Sequence, residues 1–268
     1  MLAYSPLPDP APSPSGPGKT LPDRIVEYFI ARIFTGDLPA GERLPPDREL
    51  APMLAVDRTS LRMALQQLAR LGLVKIVHGS GVRVLDFREH AGLDFLALVF
   101  SLPGLSLGGS YLLQVLDDWI DFMPAIAGRS LASMSHEARR AIDSLMAEQL
   151  SQLDRNAELE RVIDLEVQLQ DRVLRTGGNT GLILLGNSSR PLRRQLLRLY
   201  FEASDVRQHV TTQRALFHEL VSAPSLRADE IAAIYRAFLV ECTTELRARL
   251  QALPMNPSLI APPGAARA

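Results

Sequence analysis

The segment LPPDRELAPMLAVDRTSLRMALQQLARLGLVKIVHGSGVRV, residues 44–84, most constrains what this chain can fold into. The prolines before Asp47 predict the start of a short helix, and Asp57 is a good N-cap for a second helix. Apolar residues of the second helix recur at helical spacing and predict one buried face, formed by Leu61, Leu65, Leu68 and Leu71. The segment therefore predicts two successive helices, the second with polar and basic residues at its N-terminal end.

A β-hairpin is predicted directly after these helices. Gly72 is a helix-stop signal, and the runs LVKIV and VRVLD that follow it are rich in β-branched residues. The glycine-containing segment 78–81 joins the two runs. Two helices followed by such a hairpin predict a winged helix-turn-helix, in which the second helix contacts base edges. The first functional hypothesis is sequence-specific DNA binding.

The winged-helix segment resembles the N-terminal domain of GntR-family bacterial transcription regulators. The resemblance covers residues 22–86 and includes the spacing of Ile30, Ile33, Gly36, PAGE at 39–42, Leu44-Pro45 and RELA at 48–51. It implies phosphate and base contacts, or wing contacts in the minor groove, by Arg48, Arg58, Thr59, Ser60, Arg62, His78 and Gly79. Arginine can donate two hydrogen bonds to guanine, and glycine lets the backbone approach a groove wall. For Arg48 the alternative is an ion pair with Asp47 or Glu49.

Composition limits where the protein acts and how it attracts DNA. The formal net charge is -1, so attraction to DNA must come from a local patch. The single cysteine, Cys242, argues against a disulfide framework and fits a reducing cytoplasm. No apolar run approaches the roughly 18 to 20 residues of a membrane span, and the features of a signal peptide are absent. We predict a cytoplasmic protein without membrane contact.

The domain organisation follows from changes in pattern along the chain. Proline-rich residues 1–20 predict a disordered tail, with a docking segment as the alternative, and residues 21–86 form the predicted winged helix. From 87 to 253 the helical period dominates, which predicts an all-α antiparallel bundle of about seven helices. These helices are expected at 91–101, 109–131, 135–154, 157–176, 180–203, 205–222 and 228–252. Residues 254–268 predict a flexible tail. The predicted fold is therefore mostly α.

A helical domain behind such a winged helix resembles the FadR subfamily, whose C-terminal bundle binds an effector and dimerises. The resemblance implies a homodimer on double-stranded operator DNA. Many FadR-subfamily members hold a divalent metal through an acidic residue and three histidines. The corresponding positions here are Glu166, Gln170, Gln213 and Phe238. None is histidine, and amide or phenyl groups are poor ligands, so we predict no metal and no cofactor.

The same positions fall on apolar helix faces, which predicts that their side chains point inward. An unpaired buried polar group costs about 1 to 3 kcal/mol, so these groups need partners. Two interpretations stay open: the residues pair in a dry core, or they line an effector pocket. The candidate effector-binding set is Glu166, Gln170, Gln213, Tyr235 and Phe238.

The missing metal ligands indicate the metal-free branch typified by FadR itself, so the resemblance implies a fatty acyl-CoA as the effector. The arginine series Arg190, Arg193, Arg194 and Arg198 is a candidate contact for the CoA group, or else a solvated helix face or a dimer ridge. One alternative function is a metal-free regulator of another organic acid or an aromatic catabolite. Another is a ligand-independent scaffold for protein interactions.

Enzyme activity is not predicted. The lysines Lys19 and Lys75 both lie outside the helical domain, so that domain cannot form a Schiff base with pyridoxal phosphate. The sequence also contains neither a Gly-rich phosphate loop nor a hydrolase motif. We therefore predict a transcription regulator whose operator affinity depends on an effector bound in the helical domain.

Overall fold

The computed structural model describes residues 4, 18–77, 79, 81–223 and 225–259. The chain divides into two compact units. One contains the chain up to Leu107 together with the segment that begins at Pro257, and the other is Gly108–Asn256. The first unit contains the winged helix, the second is a helical bundle, and the predicted, mostly helical fold class is confirmed.

Three helices form the base of the first unit: α1 (Leu21–Thr35), α2 (Asp47–Met53) and α3 (Arg58–Arg70). Helix α1 packs against α3 through apolar residues spaced by three or four, which place one face of each helix in the interface. Residues of these faces with no exposed surface are Ile25, Phe29, Ile30, Leu61, Ala64 and Leu68. This core holds α3 with its opposite face toward solvent.

The wing is the antiparallel pair β1 (Val74–Val77) and β2 (Gly81–Val84), with Lys75 opposite Arg83. Gly72 connects it to the end of α3. The φ angle of Gly72 is 75°, and a Cβ atom there would lie 2.2 Å from a backbone oxygen. Glycine is the residue that tolerates both conditions, which is the physical basis of the predicted helix stop.

Two further helices, α4 (Phe87–His90) and α5 (Leu93–Ser101), belong to the first unit. The ring centroids of Phe87 and Phe95 are 5.2 Å apart, and they lie 5.8 and 6.4 Å from that of Phe34 in α1. We predicted the domain boundary after residue 86. The two units instead divide downstream of α5, because this aromatic contact joins the segment to the winged helix.

A second strand pair joins distant parts of the chain. Strand β3 (Leu105–Ser106) pairs antiparallel with β4 (Ser258–Leu259), although the sequence predicts an all-α domain over 87–253 and a flexible tail over 254–268. Strands of two residues are too short to show an alternating pattern, so sequence periodicity could not reveal them. Residues 260–268 and most of 1–20 lie outside the described residues.

The described part of the second unit is a bundle of α6 (Gly109–Ala132), α7 (His136–Asp154), α8 (Leu159–Thr176), α9 (Thr180–Ala203), α10 (Val206–Ser222), α11 (Ala228–Cys242) and α12 (Thr244–Gln251). The predicted helix at 228–252 is thus divided at Thr243. The buried Thr243 hydroxyl donates a hydrogen bond to the Leu239 carbonyl at 2.7 Å, and such local bonds compete with the helical pattern. Within the described residues, no helix is long and apolar enough to cross a membrane.

Helices α6 and α11 pack closely against each other. Gly128 of α6 lies against the N-terminal turn of α11, and a Cβ atom on Gly128 would be 2.1 Å from the Ala228 carbonyl oxygen. Real Cβ atoms do not approach an oxygen so closely. The two helices can therefore make this contact only because residue 128 has no side chain.

Gly128→Ala is expected to lower the free energy of unfolding by about 2 kcal/mol, because the two helices must separate to admit the methyl group. The sign is informative, since alanine in a helix interior normally stabilises by about 1 kcal/mol relative to glycine. Denaturant unfolding followed by circular dichroism measures the change. A variant at least as stable as the wild type would contradict the close contact.

Candidate nucleic-acid interface and effector cavity

The N-terminal end of α3 presents the residues expected to contact DNA. Asp57 is the N-cap, and its Oδ1 accepts a hydrogen bond from the Ser60 backbone N–H at 2.8 Å, which confirms the predicted cap. Hydrogen bonds from Ser60 also lower the pKa of the Asp57 carboxyl. Arg58 and Thr59 are exposed, and Ser60 is half-buried. The first turn of α3 therefore presents a guanidinium and a hydroxyl to solvent.

Two other candidate arginines pair with nearby carboxylates. Arg62 Nε donates to Asp47 Oδ2 at 2.7 Å, and Arg48 Nε donates to Glu49 Oε1 at 3.3 Å. Their side chains are 68% and 74% exposed, respectively. Exposed ion pairs of this kind contribute about 0 to 1 kcal/mol, so little free energy holds either guanidinium away from a phosphate. The ion pair considered for Arg48 is present, and both guanidinium groups remain accessible from solvent.

The wing adds basic side chains that the sequence analysis did not single out. Lys75 and Arg83 face each other across the hairpin and are both exposed, and Arg83 Nη1 donates to the Gly41 carbonyl at 2.8 Å. Each lies between two β-branched residues, and this alternation could have marked both from the sequence, because alternate strand residues share a face. At the tip, Gly79 is exposed with φ 72°. His78 lies outside the described residues.

A buried carboxylate organises the interior of the bundle. Glu166 is 1% exposed and accepts hydrogen bonds from three amide groups. Gln149 Nε2 donates to Oε2 at 3.1 Å, while Gln170 Nε2 and Gln213 Nε2 donate to Oε1 at 3.3 and 3.2 Å. Gln149 is not among the residues predicted from the sequence, although it follows the buried Met146 by three positions on α7. This group is called the Glu166 cluster below.

Arg193 extends the Glu166 cluster toward α9. It is 2% exposed, and its Nη1 donates to Gln170 Oε1 at 3.1 Å. Its Nη2 donates to the Gly186 carbonyl at 2.9 Å and also bonds the Asp171 carboxylate. Burial lowers the pKa of the Arg193 guanidinium, and Asp171 opposes that effect. Gln170 thus connects a buried anion to a buried cation.

The arginines of α9 pair with carboxylates of α8, and among the four only Arg193 is buried. We considered a CoA contact, a solvated face and a dimer ridge for it, whereas the structure shows ion pairs between α9 and α8. Arg193 is buried, and the pairs made by the other three arginines are Arg190–Asp171, Arg194–Asp164, Arg194–Glu160 and Arg198–Glu160. Sequence alone could not show these pairs because the acidic partners lie on a separate helix.

A cavity lies between α6, α7, α8, α10 and α11. Its empty volume is about 520 Å³, and this volume includes open solvent at the mouth of the cavity. The lining is mostly apolar and includes Met123, Leu131, Ile142, Met146, Leu169 and Phe217. Its polar lining residues are Gln170, Gln213 and Tyr235, so the cavity meets the Glu166 cluster on one side.

The predicted effector-binding residues divide into two groups. Gln170, Gln213 and Tyr235 line the cavity, whereas Glu166 lies behind the amides. Phe238 stacks on Tyr235, with ring centroids 5.9 Å apart, and does not line the cavity. The sequence left two interpretations open, a paired polar core and a pocket. In the structure the polar core lies around Glu166, and the cavity adjoins it.

Other polar groups near this region pair with each other. His209 is buried, its ring centroid lies 5.5 Å from that of Phe238, and its Nδ1 is 2.8 Å from the Tyr200 hydroxyl. Burial lowers the pKa of His209. In the part of the chain that the structure describes, no three His, Cys, Asp or Glu side chains converge so that they could hold a metal ion.

The fold of the first unit and its exposed arginines define a class, the DNA-binding transcription regulators with a winged helix-turn-helix. A family model described as bacterial regulatory proteins, gntR family, matches residues 21–84. A fatty acid metabolism regulator protein of Shewanella denitrificans is 32% identical over 183 residues, covering 68% of this chain and 72% of that protein. The chain belongs to the GntR family. The resemblance to FadR-like members of that family, read from the sequence, is confirmed.

Other similar proteins are covered less completely or are less alike in sequence. The HTH-type transcriptional regulator Mce2R of Mycobacterium tuberculosis is 33% identical over 133 residues, which is 47% of this chain. The chain spans about half of that relative's length, with 55% covered. A solved structure of Lar, which controls expression of the Listeria monocytogenes agr system, is 16% identical with a TM-score of 0.49, and the match covers 88% of this chain and 99% of that one.

Proposed function

We propose that this chain binds operator DNA as a homodimer and that a small apolar effector in the bundle cavity changes its affinity for that DNA. The observation that carries the proposal is the mostly apolar cavity beside the Glu166 cluster, in a chain that also contains a winged helix. An effector changes DNA affinity when it binds one of two conformations more tightly than the other. A cytoplasmic location stays a prediction.

For the DNA contact, α3 would lie in the major groove with its first turn toward the bases. Arg58 and Thr59 are exposed there, and Arg62 is one turn further along the same helix. Arg48 would bind a phosphate, and Ser60 would contribute its hydroxyl. The wing would approach the minor groove through Gly79, and the family resemblance adds His78.

For the effector, the apolar lining supports an acyl chain. Relatives named fatty acid metabolism regulator protein support a fatty acyl-CoA as the molecule that carries it. None of the lining residues that the structure describes is Lys or Arg. The phosphates of a CoA group would therefore remain outside the cavity, because a buried phosphate without a cation is strongly unfavourable.

The effector proposal can be tested with DNA that the protein selects from a random pool. With labelled selected DNA, a long-chain acyl-CoA such as oleoyl-CoA should change the Kd at least about 5-fold in fluorescence anisotropy, and CoA alone should not. Ala127→Leu places a larger side chain at a lining position and should remove the response while keeping DNA binding. Ala125→Leu, at an exposed position of the same helix, is the matched control and should respond like the wild type. An unchanged wild-type Kd with acyl-CoA contradicts this effector.

A further inference from the structure

Among the described residues, none donates a hydrogen bond to the buried side-chain oxygen of Gln213. The residue is 6% exposed and lines the cavity. Its Nε2 donates to Glu166 Oε1, which orients the amide so that Oε1 points away from the carboxylate. Within the described residues that Oε1 receives no hydrogen bond. About nine in ten buried polar groups in proteins have a hydrogen-bond partner, and here a molecule in the cavity can supply the donor.

The charges around the cavity disfavour an anion. Glu166 lies directly behind the two lining amides, and the nitrogen of each donates to it. The nearby Arg193 is paired with Asp171 and does not line the cavity. A ligand carboxylate would therefore be desolvated beside another carboxylate without a lining cation to offset the repulsion.

Tyr235 provides a neutral neighbour for the same position. Its ring lines the cavity, and its hydroxyl is the polar group of that side chain. Burial, and then the charge of Glu166, raise the pKa of the Tyr235 hydroxyl, and hydrogen bonding with the Gln213 side chain lowers it in part. A phenol that stays protonated can both donate and accept hydrogen bonds, so it suits an uncharged polar ligand group.

We infer that the cavity takes an apolar ligand with an uncharged hydrogen-bond donor, a hydroxyl or an amide N–H, which bonds to Gln213 Oε1. The inference rests on the proposed effector function and narrows it. An acyl-CoA satisfies it through an amide N–H of its pantetheine arm or a hydroxyl on its chain. A free fatty acid or another organic acid does not.

Three probes of similar size separate the possibilities by isothermal titration calorimetry on the full chain at pH 7. They are 1-decanol, its isomer 1-methoxynonane, which lacks the donor, and decanoate, which is ionised. Decanol should bind about 5- to 10-fold more tightly than the ether, because the ether leaves Gln213 Oε1 without a partner. Decanoate should bind at least about 10-fold more weakly than decanol.

Two variants test whether the preference for decanol over its ether depends on Gln213 Oε1. Gln213→Met and Gln149→Met each remove one hydrogen bond to Glu166 and one buried amide oxygen without a donor, but Gln149 does not line the cavity. Gln213→Met should bind decanol and the ether equally. Gln149→Met should keep the wild-type preference. If either variant fails to fold, the three-probe comparison on the wild type decides the inference.

The outcomes separate this inference from the proposed function. Three outcomes would overturn the inference and leave the effector cavity in place. They are equal binding of decanol and its ether by the wild type, tightest binding of decanoate, and loss of the preference for decanol in Gln149→Met. Failure of all three probes to bind contradicts the cavity function itself, and the inference falls with it.

Discussion

Arg58→Ala should reduce the affinity for selected DNA by about 10- to 100-fold while leaving thermal unfolding unchanged. Arg58 is the first residue of α3 and is exposed, so it lies outside the core, and we propose that its guanidinium contacts a base edge. A bidentate arginine–guanine contact accounts for about 1 to 3 kcal/mol of discrimination. The loss should be larger for selected DNA than for random DNA, because phosphate contacts persist in both.

The matched control for this substitution lies on the same helix. Arg70 is the last residue of α3, exposed, and about 18 Å from Arg58 along the helix axis at 1.5 Å per residue. Arg70→Ala removes the same charge and should change affinity less than about 3-fold, by the ordinary effect of one surface charge. Electrophoretic mobility shift assays measure both variants. Equal losses in the two, or none in Arg58→Ala, would show that the first turn of α3 does not read DNA.

Arg193→Met should lower the free energy of unfolding by about 3 to 5 kcal/mol. The substitution keeps an unbranched apolar stem but removes the buried guanidinium that bonds Gln170, Asp171 and the Gly186 carbonyl. Arg190 still pairs with Asp171 in this variant, so the cost comes from the lost hydrogen bonds of the buried guanidinium, at about 1 to 3 kcal/mol for each buried acceptor left unsatisfied. The Gln170 oxygen also loses its donor.

Arg190→Met is the matched control, because Arg190 binds the same Asp171 carboxylate at 2.6 Å from a side chain that is 43% exposed. An exposed ion pair contributes about 0 to 1 kcal/mol, so this variant should unfold near the wild-type midpoint. Urea titrations of all three proteins give the comparison. Equal destabilisation by the two substitutions would mean that the buried Arg193 stabilises the fold no more than the exposed Arg190 does.

The local elements were predictable where the pattern was long and strongly periodic. The leucine spacing of α3, the Asp57 cap and the Gly72 stop are all present in the structure, because helix faces and caps depend on residues within a few positions. The division of the last predicted helix at Thr243 was missed, since the apolar period continues through the break. The short pair β3–β4 was missed because its partners are far apart in sequence.

The candidate effector site was predictable only in part. Gln170 and Gln213 were recognised as polar positions on apolar faces, and both are buried next to Glu166. Gln149 and Arg193 complete the cluster, but their roles depend on which helices meet. In particular, a solvated helix face, one of the three alternatives for the arginine series, does not hold for Arg193, because Asp171 on a neighbouring helix allows its burial.

The sequence by itself determined the winged helix, the mostly helical second unit and the membership of the GntR family, since these rest on spacing and motifs along the chain. Only the tertiary structure decided which polar groups are satisfied and which face a cavity. Hydrogen-bond partners and empty volume are set by helices that meet from distant parts of the chain. The Gln213 oxygen, which receives no hydrogen bond from the described residues, and the enclosed carboxylate of Glu166 could be recognised only after those helices were packed.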